Sequence, residues 1–175
     1  MTRFRILSPV LALLLAGAVV LPAQANNDAA PADRIELGGL AQGPAILGGG
    51  LMFGEPTGFS VKLWFVQTGL GLDAAAAWSF QEDRTLYLHA NALYHLALIE
   101  TQGGRYLVPF VGLGVMNTYG DATRIGLRVP VGLSILPFRQ LPLEFFAEMA
   151  PGVGILPDTS PDFAAGIGAR FYLPL

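Results

Sequence analysis

Over most of the chain, apolar residues occupy every second position. Phe59, Val61, Leu63 and Phe65 share one face of a segment, with Ser60 and Lys62 on the other. Leu72, Ala74, Ala76, Trp78 and Phe80 oppose Asp73 and Ser79. The seven apolar residues from Leu86 to Leu98 oppose His89, Asn91 and His95. Ile125, Leu127, Val129, Val131, Leu133 and Ile135 oppose Arg124, Arg128 and Ser134. Leu143, Phe145, Ala147 and Met149 oppose Glu144 and Glu148, and Phe163, Ala165, Ile167, Ala169 and Phe171 oppose Arg170. A period of two is the signature of β-strands with two unlike faces.

Turn residues cut this pattern into eight strands at hairpin spacing: 44–53, 58–66, 70–80, 84–99, 105–116, 124–136, 142–153 and 162–173. The first and fifth have apolar residues or glycine on both faces. The connections rich in Gly, Pro, Asn, Asp and Gln include 54–57, 81–83, 117–123 and 154–161, all short. An even number of antiparallel strands of about ten residues predicts an all-β fold, a closed up-and-down transmembrane β-barrel.

Composition decides which face meets what. Of 175 residues, 53% are hydrophobic and 13% charged, against about a quarter charged in soluble domains. The polar faces carry one or two charges each, diluted by glycines such as Gly48, Gly50, Gly114, Gly126, Gly132 and Gly168. A face turned to water would be far more charged, whereas small residues suit the narrow interior of an eight-stranded barrel. The apolar face is therefore expected to point outward, into lipid. Aromatics are placed for girdles, with Phe53, Phe59, Trp78, Phe80 and Tyr119 at the outer rim and Phe65, Phe138, Phe171 and Tyr172 at the periplasmic rim.

The first 25 residues read as a cleaved signal peptide. Arg3 and Arg5 precede the apolar run 6–21, Pro22 ends it, and Ala23-Gln24-Ala25 places cleavage between Ala25 and Asn26. Residues 26–43 form a flexible periplasmic leader, and 44–175 the barrel. The chain is cysteine-free, so no disulfide and no lipidated cysteine is expected. Removing 1–25 leaves eight basic and thirteen acidic side chains, a formal charge of −5. This argues against a nucleic-acid partner, which requires a basic face.

The inward charges are the candidate site: Lys62, Asp73, Arg128, Glu144, Glu148 and Arg170. If the second hairpin turns at Gln67-Thr68, Lys62 lies across from Asp73. Arg128 then lies diagonally near Glu148, and Arg170 diagonally near Glu144. One reading is a structural network, because an unpaired charge in a low-dielectric interior costs several kcal/mol. The other is a narrow ion path or a catalytic carboxylate pair. His89 and His95 share a strand but stand about 20 Å apart at ~3.4 Å per residue, too far to share a metal. Ser79, His89 and Asp73 can be grouped as a trio, but no nucleophile elbow accompanies them. Gly69-Leu70-Gly71 and Gly112-Leu113-Gly114 open no helix and are not nucleotide loops. No catalytic residue, metal or cofactor is expected.

The chain also resembles a family of small bacterial outer-membrane β-barrels, long catalogued as a domain of unknown function and porin-related in build. The resemblance rests on the order of several pieces. These are Gly54-Glu55-Pro56-Thr57-Gly58, Ala77-Trp78-Ser79-Phe80, Leu86-Tyr87-Leu88-His89-Ala90 and Arg128-Val129-Pro130-Val131-Gly132-Leu133. Leu143-Glu144-Phe145-Phe146-Ala147-Glu148, Pro157-Asp158-Thr159 and Gly166-Ile167-Gly168-Ala169-Arg170-Phe171-Tyr172 follow. It implies an eight-stranded barrel in the cell outer membrane and no agreed activity. Such barrels usually end on an aromatic residue; here the chain continues to Leu173-Pro174-Leu175, a variant ending. The expected role is structural or surface interaction. The expected partners are outer-membrane lipid, the barrel-assembly machinery during biogenesis and an extracellular ligand at the loops. The alternative is a narrow channel or an outer-membrane enzyme acting on lipid or a small molecule.

Overall fold

The computed structural model describes residues 45–78, 86–101, 105–120, 123–138 and 141–174. The signal peptide, the Ala25–Asn26 junction, the leader, Ser79, Phe80 and loop 81–83 lie outside the described residues.

The described chain is all β. Its strands are β1 Ile46–Glu55, β2 Thr57–Phe65, β3 Leu70–Trp78, β4 Leu86–His95, β5 Ile99–Thr101, β6 Arg105–Tyr119, β7 Arg124–Arg128, β8 Val131–Leu136, β9 Leu143–Leu156 and β10 Ser160–Pro174. They form one antiparallel sheet in which each long strand pairs with the next. β10 pairs with both β9 and β1, from Ile46↔Pro174 to Glu55↔Ala165, so the sheet closes into a barrel. Closure leaves no edge of unpaired backbone groups, the condition for a sheet to sit in lipid.

Ten segments make eight spans because two expected strands are interrupted at prolines. The span expected at 124–136 breaks at Val129-Pro130, since Pro130 has no N–H for the ladder. The chain stays tied on both sides: Val129 N donates to Pro151 O at 2.9 Å, and Gly112 N donates to Pro130 O at 2.8 Å. The strand expected at 84–99 ends at His95. Leu96 N donates to Pro109 O at 2.9 Å, but Pro109 cannot return the bond. Pairing resumes only as the short β5 against the start of β6.

The β2–β3 hairpin turns through 66–69, with Thr68 N donating to Phe65 O at 3.1 Å. Gly69 takes φ +70° there, a left-handed conformation natural to glycine. That turn sets the register Phe65↔Leu70, Lys62↔Asp73 and Thr57↔Trp78. Alternation then separates the faces. Even-numbered residues of β1 and β2 and odd-numbered residues of β3 and β4 point in, including Ile46, Met52, Lys62, Trp64, Asp73 and His89, all buried, while Leu51, Phe59, Leu72 and Tyr94 point out and are exposed. β1 and β6, ambiguous in sequence, alternate as well: in β6 Val108, Phe110 and Met116 are buried, Leu113 and Val115 exposed.

Two apolar clusters fill parts of the lumen. Ile46, Trp64, Tyr106, Val108, Leu136 and Tyr172 pack together at the end where β1 begins, with Val66 and Leu98 against them. Met52, Ala75, Ala77 and Phe146 pack nearer the other end. Tyr172 corrects the expectation of a rim aromatic. It shares parity with Arg170, points inward and is fully buried, whereas Phe171 points out and is exposed.

Candidate functional site: the charged interior

All six expected charges point into the lumen and are buried, three cations and three carboxylates. Glu144 on β9 is the centre of the network. Its Oε1 accepts from Lys62 Nζ at 2.8 Å and from Ser134 Oγ. Its Oε2 accepts from Tyr172 Oη at 2.7 Å and from Arg170 Nη1 at 3.3 Å. Four donors from β2, β8 and β10 thus converge on one carboxylate that has no exposed surface.

Arg170 links Glu144 to Asp73. Its Nη2 donates to Asp73 Oδ2 at 3.2 Å and to Ser60 Oγ at 2.7 Å, and its Nε donates to Ser60 Oγ at 2.9 Å. The guanidinium carbon lies 3.8 Å from the Phe146 ring centroid, within cation–π range. Asn91 Nδ2 donates to Asp73 Oδ1 at 2.6 Å. The Lys62 ammonium stands 4.9 Å from the Trp64 ring centroid and 5.6 Å from that of Phe110. Arg128 and Glu148 form a separate buried ion pair.

The pairing differs from the sequence expectation in two respects. Lys62 and Asp73 are Cα partners, but the ion pair of Lys62 reaches across the lumen to Glu144, and Asp73 takes Arg170 and Asn91 instead. Arg170 and Glu144 are direct partners rather than diagonal neighbours. Arg128 faces Gly152 in register and pairs diagonally with Glu148, four residues along β9.

Ser60, Ser134, Asn91 and Tyr172 complete the network and were not singled out with the charges. Their signal was parity alone: each shares the inward face with a charged residue of its own or the neighbouring strand.

The histidines are held as packing groups. The His95 ring stacks on Trp64 with centroids 4.6 Å apart, and its Nδ1 lies 2.8 Å from Gly69 O, a donor position. His89 meets Tyr87 edge-on, centroids 5.8 Å apart. Among the described residues, no group of three or more His, Cys, Asp or Glu could hold a metal ion.

The fold is similar to the N-terminal β-barrel domain of OprF from Pseudomonas aeruginosa, at 15% identity, covering 75% of this chain and 98% of that one with a TM-score of 0.54. Ail, the attachment invasion locus protein of Yersinia pestis, aligns at 15% identity over 74% of this chain and 97% of its own, TM-score 0.38. Neisserial surface protein A aligns at 16% identity over 73% and 93%, TM-score 0.38. At such identities the likeness speaks for the fold, and it rests on the first of these. No family profile and no curated protein matches the sequence.

Proposed function

We propose that this chain is an integral outer-membrane β-barrel with a structural or surface-interaction role, its lumen closed by paired charges. The observation that carries the reading is an inversion of polarity. Among the described residues, thirty-two large apolar side chains are exposed on the outer wall and rims, with Phe163 at 65% and Phe59 and Leu113 at 61%. All six network charges lie inside at 9% exposure or less. Water would not tolerate an apolar surface of that extent on a monomer, whereas a bilayer demands it. The outer-membrane location follows from the barrel form, which is the alternative to helices for crossing a membrane, together with the signal peptide assigned to 1–25. The mature chain begins at Asn26 in this reading.

The network supports closure over conduction. Lys62 reaches Glu144 across the lumen, Arg170 joins it from the neighbouring strand, and all three are at most 2% exposed. Below them lies the Trp64–Tyr172 apolar cluster. The short turns at 54–57 and 157–159 leave room for a ligand at the outer surface but build no domain. Lipid is the constant partner, and the assembly machinery the partner during biogenesis. No side chain is assigned a catalytic role.

Fractionation with a gel comparison of boiled and unboiled protein tests the placement: a compact, faster band confined to outer membranes is expected, and protein in the soluble fraction would refute it. Planar-bilayer recording tests closure, for which stable, discrete current steps would be fatal.

A further inference from the structure

The outer wall is not uniformly bulky. Across β1 to β4, one outward row runs Gly49–Val61–Ala74–Ala90, and the next runs Leu47–Leu63–Leu72–Ala92. The alanine floor and leucine rims border a shallow hollow of about 500 Å³ that is open on its outer side. A Cβ built at Gly49, beside it, would meet nothing within 4 Å. Elsewhere on the wall, Phe145, Met149, Phe163 and Ile167 stand out at 45–65% exposure.

The hollow lies directly outside the ionic layer. Lys62, Asp73 and Asn91 line it from behind, so only one backbone thickness and a few methyl groups separate the buried charges from whatever fills it. Water there would raise the local dielectric beside charges whose pairing depends on its being low, and an empty gap would forfeit dispersion contacts. A second copy related by a two-fold axis would set hollow against hollow and leave both unfilled. If a methylene takes about the volume share of one water, ~30 Å³, the space of about 500 Å³ matches roughly seventeen methylenes.

We propose that this hollow seats one saturated acyl chain of a membrane lipid, held more tightly than its neighbours as a filler of the thin wall over the ionic layer. The inference rests on the outer-membrane reading, which the fractionation experiment tests separately.

The test uses processed wild-type protein reconstituted in dipalmitoyl phosphatidylcholine vesicles, extracted into mild detergent and examined by native mass spectrometry. One retained lipid per barrel is expected. Ala74→Phe and Ala90→Phe fill the hollow from outside and should each reduce the retained fraction at least tenfold. Ala147→Phe adds the same ring to another outward alanine and should leave it unchanged. The heat-modifiable band of each variant establishes that its barrel is intact, and Ala90→Leu serves if a phenylalanine variant fails to assemble. Wild type without lipid, or equal retention in wild type and filled variants, would overturn the proposal. So would a wild-type dimer abolished by the same substitutions, which would assign the hollow to a second copy.

Discussion

Glu144 offers the most informative perturbation. Glu144→Leu removes the acceptor of four donors and leaves Lys62 and Arg170 with only Asp73, an excess of one buried positive charge. Removing one partner of a buried ion pair costs about 3–5 kcal/mol. The loss here belongs at the upper end, because Ser134 and Tyr172 lose their acceptor as well. Lys62→Met creates the opposite excess, but Glu144 keeps Arg170, Ser134 and Tyr172, so about 3 kcal/mol is expected. The double variant restores neutrality, with one arginine facing one aspartate. It should therefore be more stable than the summed losses imply by about 2–3 kcal/mol, at the top of the range for directly coupled residues. Lys62 and Asp73 are Cα partners without a bond between them, so the cycle Lys62→Met with Asp73→Leu should show a coupling below about 1 kcal/mol. Urea unfolding in phospholipid vesicles measures both cycles. Trp64, stacked on His95 and 4.9 Å from the Lys62 ammonium, supplies the fluorescence in a Trp78→Phe background. Additivity within about 0.5 kcal/mol for Lys62 and Glu144, or a larger coupling for Lys62 and Asp73, would show that the lysine does not reach across the lumen.

Three further substitutions probe the two faces of the wall and the packing of the lumen. Val131→Arg places a charge on the outward face of β8 beside Val111 and Met149 and should cost about 2–4 kcal/mol in bilayer unfolding; no cost would mean the outer wall is not in lipid. Tyr172→Phe deletes the 2.7 Å bond to Glu144 and should cost about 1.5–3 kcal/mol, the range for a hydrogen bond to a charged group. Phe171→Tyr on the outer face should cost far less, and the reverse order would invert the assignment of the two faces. Gly132→Leu drives a side chain into the Phe110 ring and the Ala147 carbonyl, whereas Gly49→Leu enters open space. Only the first should abolish the heat-modifiable band, and a band from both would show that the lumen is looser than its packing.

Much of this barrel is legible one strand or one hairpin at a time. Alternation alone separates Lys62 from Leu63 and Arg170 from Phe171, because successive side chains of a strand point to opposite faces. The 66–69 turn then dictates that Lys62 faces Asp73, since turn length sets hairpin register. Tyr172 obeys the same alternation: parity with Arg170, and not aromatic character, turns it inward. The breaks at Pro109 and Pro130 were equally local, each a missing N–H in a ladder. Closure decided the rest. Lys62 and Glu144 are 82 residues apart, and Arg170 and Ser60 are 110 apart. No turn connects them, and no spacing encodes their meeting. They touch because pairing β10 with β1 bends the sheet until side chains from strands that share no ladder meet in a lumen barely wide enough to hold them. A flexible lysine or arginine then takes the carboxylate that is nearest across that lumen, which need not be the residue opposite it in the ladder.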